Sequence, residues 1–142
     1  MQSSLHSRTD RTLTELDHTR VTRLLPREVG SARGANIDEL NDTLDYADVV
    51  DAREVASDVV TMYSRVLLED PATGQRQELT LCYPADADPA KGFVSVLSPV
   101  GASLLGLRVG AVASWQTPDG STVQTRVVAL VFQPEATGDY TR

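Results

Sequence analysis

Histidine, cysteine, serine and the carboxylates are the reactive side chains of this sequence, and their neighbours decide what each is for. His6 and His18 stand apart, and neither has a spaced His or Cys partner, so they form no zinc-type ligand set. Serines recur along the chain, but none sits in a Gly-x-Ser-x-Gly elbow and no His has a triad context. Neither a Walker A loop nor a Gly-x-Gly-x-x-Gly fingerprint occurs. Cys82 lies inside an apolar run, which suits a buried, inert thiol. As the lone cysteine it allows no disulfide within the chain, which fits a reducing cytosol. No catalytic residue, cofactor site or metal site is expected.

The carboxylates are the most abundant of these groups. Asp and Glu number 20 against 13 Lys and Arg, a net charge of -7. That balance argues against direct nucleic-acid binding, which needs cations to displace counterions from the phosphates. It suits a basic protein partner, and equally plain solubility. Asp38 and Glu39 stand at the start of a helical pattern, where the macrodipole stabilises acids. Asp42, Asp45 and Asp48 fall on its solvated side, and Glu28 precedes it in a loop.

The elements that must carry these groups divide near Asp51 to Asp58. Before that break the pattern is helical. Asp17 reads as an N-cap, with Leu16 and Val21 spaced as a hydrophobic staple. Val21, Leu24 and Leu25 make one apolar face, and Pro26 stops the helix. Gly30 and Gly34 break the chain, and Ile37, Leu40, Leu44 and Ala47 then line one side of a second helix. The expectation is a short antiparallel helical hairpin over 12–52. Residues 1–11 are expected to be frayed and, being polar, to carry neither a secretion signal nor a membrane anchor.

After the break the residues alternate. Val60, Met62, Ser64, Val66 and Leu68 predict one strand face, Glu78 to Tyr83 a return strand and Phe93 to Leu97 a third. Ser98-Pro99 opens a short helix, because Ser caps well and Pro suits the first helical position. Val100, Leu104 and Leu105 supply its apolar side, and Gly106 ends it. Val112–Thr117 and Thr122–Phe132 form a hairpin across the Pro118-Asp119-Gly120 turn, with Val123, Thr125, Val127, Ala129 and Val131 on one face. The fold class is α+β: the helical hairpin, then a mostly antiparallel twisted sheet with one packed helix over 53–142.

The run Leu97-Ser98-Pro99-Val100-Gly101-Ala102-Ser103-Leu104-Leu105-Gly106-Leu107-Arg108-Val109-Gly110 closely resembles the Ser-Pro segment of the Gre transcript-cleavage factors. Val112 to Gly120 continues the match. Asp58 to Met62, Ser64 to Val66 and the tail Gln133 to Tyr140 look like one branch, Rnk, called the regulator of nucleoside diphosphate kinase. The likeness is strong from Asp58 to Tyr140 and weaker over the hairpin.

The resemblance implies an FKBP-like C-terminal domain that grips RNA polymerase at the rim of the secondary channel. It also implies an N-terminal hairpin entering that channel, where acidic tip residues help hold a catalytic magnesium and drive RNA cleavage. Ser98, Pro99, Val100, Gly101 and Leu104 become candidate polymerase contacts. Glu28, Asp38 and Glu39 become candidate channel-facing acids. The hairpin here is much shorter than a Gre hairpin, and carboxylates act on a metal only within bonding distance. A cytoplasmic, monomeric regulator that competes with Gre factors without stimulating cleavage is therefore expected. Two alternatives stay open: an FKBP-like prolyl isomerase, which needs an aromatic-lined cavity, and a direct modulator of nucleoside diphosphate kinase.

Overall fold

The computed structural model of the protein describes residues 11–25, 35–117 and 119–139. Chain order is β1 (Thr12–Thr14), α1 (Glu15–Leu24), α2 (Ala35–Tyr46), β2 (Asp48–Val50), β3 (Arg65–Glu69), β4 (Arg76–Cys82), β5 (Phe93–Ser95), α3 (Pro99–Leu104), β6 (Val112–Gln116) and β7 (Thr122–Phe132). The result is a mixed α+β fold. A five-stranded sheet runs β5-β4-β3-β7-β6, antiparallel except where β5 lies parallel to β4. A separate parallel pair joins β1 to β2.

The start of α1 differs from the sequence reading. Thr14, not Asp17, is the N-cap; its Oγ1 accepts the Asp17 amide at 3.0 Å. Asp17 sits a turn later and faces the interior, fully buried. Leu25 leaves the helix extended, as the residue before a proline must. Leu40 and Leu44 are buried on α2, while Asp45 and Asp48 are exposed. His18 Nε2 lies 2.8 Å from the Leu44 carbonyl and ties the start of α1 to the end of α2.

The long strand expected from Val60 to Leu68 is shorter. Val59, Val60, Thr61 and Met62 are all buried, a run that alternation cannot produce. The segment turns instead: the Ser64 amide donates to the Thr61 carbonyl at 3.0 Å, and Tyr63 adopts a left-handed φ of 67°. In β7 the partners of Leu67 and Leu68 are Ala129 and Val127, so Val128 is an extra residue. Arg65 and Val66 face Phe132 and Leu130, so Val131 is another. These bulges break the single face read from Val123 to Val131 and curl the sheet.

One hydrophobic cluster unites the molecule. Leu13, Val21, Leu40 and Leu44 from the N-terminal elements join Val66, Leu81 and Val127 of the sheet and Leu104 and Leu105 at the end of α3. Among the described residues no helix is long and apolar enough to cross a membrane.

Candidate functional site

The Ser98–Leu104 segment is built on edge strand β5. The Ser95 carbonyl accepts both the Ser98 amide (3.0 Å) and the Ser98 hydroxyl (2.7 Å). The same hydroxyl accepts the Gly101 amide at 3.2 Å and so caps α3. Ser95 Oγ accepts the Leu97 amide at 3.0 Å. The turn into α3 is therefore bonded at every step, and the Ser98 side chain is committed to capping.

Glycine at 101 is a packing requirement. A Cβ there would lie 2.1 Å from the Ser95 carbonyl oxygen, so only glycine lets α3 sit this close to β5. The five candidates thus separate. Pro99 is exposed, and Ser98 and Val100 are half-buried. Gly101 and Leu104 are buried; they hold the edge from inside and offer no surface. A fixed proline ring beside a partly exposed valine is a small, rigid apolar contact.

Of the acidic candidates, Glu28 lies outside the described residues. Asp38 and Glu39 fall within α2, but their side chains lie outside what is described. Among the described residues no three His, Cys, Asp or Glu side chains gather as a metal site requires. Cys82 is buried, and burial raises its thiol pKa.

A polar hub around Thr61 was not legible from sequence. Asp17 Oδ2 accepts the Met62 amide at 3.1 Å. Thr61 Oγ1 donates to Glu135 at 2.7 Å and lies 2.9 Å from Ser64 Oγ. Gln133 Nε2 donates to the carbonyls of Ala56 (2.9 Å) and Val59 (2.7 Å). Tail residues Gln133 and Glu135, part of the segment that carries the resemblance, are buried here and tether this turn. Burial pushes Asp17 up to about 7, and it raises Glu135 as well. Nearby, Tyr63 and Tyr83 pack edge to face at 5.6 Å, and the Tyr63 hydroxyl donates to Asp86. The sequence signal that survives is weak: Thr61 and Gln133 each stand between two apolar residues.

An open cleft of about 370 Å³ lies at the far end of the sheet, with Leu68, Trp115 and Val123 beside Gln75, Arg76 and Gln77. Its single aromatic and mostly polar wall do not enclose a proline ring.

Residues 55–131 match the family model described as the C-terminal domain of the transcription elongation factors GreA and GreB. The chain is 42% identical over 129 residues to the regulator of nucleoside diphosphate kinase of Escherichia coli (strain K12), covering 90% of this chain and 93% of that one. It is 43% identical over 100 residues to the transcription inhibitor protein Gfh1 of Thermus aquaticus, covering 68% of this chain and 60% of the relative. A solved structure, a prokaryotic transcription elongation factor GreA/GreB from Nitrosomonas europaea, superposes with a TM-score of 0.69 at 33% identity. That match covers 87% of this chain and 98% of the other.

Proposed function

Because the chain belongs to the GreA/GreB family of transcription factors, we propose that it binds RNA polymerase near the secondary channel and competes there with Gre-type elongation factors, without stimulating RNA cleavage. The sheet with α3 is the FKBP-like docking domain in this reading, and α1 with α2 is the short hairpin. One observation carries the docking half: the edge made by exposed Pro99 and half-buried Val100 is locked by the Ser98 cap and by the close approach of Gly101 to Ser95. Such an edge meets a partner without first paying an ordering cost.

The reach of the helices supports the other half. α1 has 10 residues and α2 has 12, so they extend about 15 Å and about 18 Å at roughly 1.5 Å per residue. Their apolar residues Val21, Leu40 and Leu44 are used by the common core. Helices this short, with their apolar faces in the core, give little length on which to carry a carboxylate to a metal deep in a channel.

The docking test is co-elution with core RNA polymerase. The chain is expected to co-elute, and the combined Pro99→Ser and Val100→Ser variant is expected to stay folded and bind at least about tenfold more weakly. Wild-type binding by that folded variant would sink the assignment of the edge. Direct action on nucleoside diphosphate kinase is separated by a pull-down of the kinase with no polymerase present.

A further inference from the structure

α3 ends on carbonyls that its own backbone does not satisfy. In a continuing helix the Gly106 amide would reach back to the Ala102 carbonyl. Here it donates to the Val60 carbonyl instead, at 2.9 Å. Arg11 takes over: its Nη1 donates to the Ala102 carbonyl at 3.3 Å and to the Leu105 carbonyl at 3.2 Å. Both residues are fully buried with Arg11 in place, and the half-buried Arg11 side chain is what covers and pairs these carbonyls.

Arg11 is itself held. Its carbonyl accepts the Asp48 amide at 3.0 Å, and the next amide, of Thr12, donates to the Gly106 carbonyl at 3.0 Å. A Cβ at Gly106 would stand 3.1 Å from the Thr12 carbonyl oxygen and 3.2 Å from the Arg11 Cβ, so strand and helix end meet without slack. α3 is thus clamped at both ends, by β5 at Gly101 and by β1 at Gly106.

We infer that Arg11 is a positioning residue for the docking edge: its guanidinium fixes α3 so that Pro99 and Val100 stand where the polymerase meets them. This rests on the polymerase-docking reading above. Arg11 lies outside residues 55–131, which the family model matches, so the brace comes from the N-terminal part of the chain. A cation on the last carbonyls of a helix is favourable, and an aliphatic side chain there removes the donor from both.

The test measures affinity of the full chain for core RNA polymerase by competition with labelled wild type, at a temperature where each variant is folded by circular dichroism. Arg11→Met keeps the aliphatic stem and loses the donors; its affinity is expected to fall about tenfold. Arg11→Lys restores a cation and is expected within about threefold of wild type. Leu68→Ala destabilises the core beside the Trp115 cleft and is expected within about twofold of wild type. Wild-type affinity in Arg11→Met, or equal weakening in Arg11→Met and Leu68→Ala, overturns the inference. If Arg11→Met folds too poorly, Arg11→Leu, which likewise lacks donors, is judged by the same outcomes. Weak binding by the Pro99 and Val100 variant beside wild-type binding by Arg11→Met overturns the inference alone. Wild-type binding by the Pro99 and Val100 variant overturns the docking reading beneath it.

Discussion

Asp17 has one carboxyl oxygen on the Met62 amide; the other, Oδ1, has no partner among the described residues. Burial is the main cause of its raised pKa of about 7, and Glu135 adds to it. The Met62 amide, Thr14 and Arg20 oppose it. The folded state therefore holds the proton more tightly than the unfolded chain. That contribution to stability is full below about pH 4, the ordinary carboxylate range, and is lost as pH rises to about 7. Asp17→Asn keeps an acceptor for Met62 and removes the ionisation. It is expected to flatten the fall in stability between pH 4 and 7 and to exceed wild type above pH 7, measured by urea unfolding across that range. An unchanged pH profile would refute the assignment. Gly101→Ala is expected to destabilise by about 2 kcal/mol or more in the same assay, because its methyl meets a backbone oxygen rather than a yielding side chain. Asp17 was legible as a helix-start residue but not as a buried one. An acid ahead of an apolar run looks the same whether it caps its own helix or serves an amide in a distant turn.

The helix α3 was legible because three independent cues agree there: Ser98 as cap, Pro99 at the first position and Gly106 at the end. The pairs β3–β4 and β6–β7 were legible from the turns that join them, whereas the β3–β7 and parallel β4–β5 pairings carry no such mark. β1 and β2 were not legible, since three residues each give no period to read and the partner lies across two helices. The bulges at Val128 and Val131 were hidden too, because an uninterrupted Val-rich run carries no mark of an extra residue. β1 nonetheless belongs to the core. Leu13 is 1% exposed, and Leu13→Ala is expected to cost about 2–4 kcal/mol in chemical denaturation. A loss under about 0.5 kcal/mol would mean that the strand is a loose appendage.

For the molecule as a whole, the common core predicts one cooperative transition. Trp115, the single tryptophan, reports on the sheet, and far-ultraviolet circular dichroism reports mainly on α1 and α2. The two unfolding curves are expected to coincide in urea; separated midpoints would show that the helices melt on their own. In the proposed reading, helices bound into the core leave the chain to occupy a polymerase surface rather than to extend carboxylates away from it. RNA cleavage in stalled elongation complexes tests this most directly, with and without a Gre factor. The account predicts no added cleavage by the chain alone and dose-dependent inhibition when the Gre factor is present. Cleavage stimulated by the chain alone would contradict it.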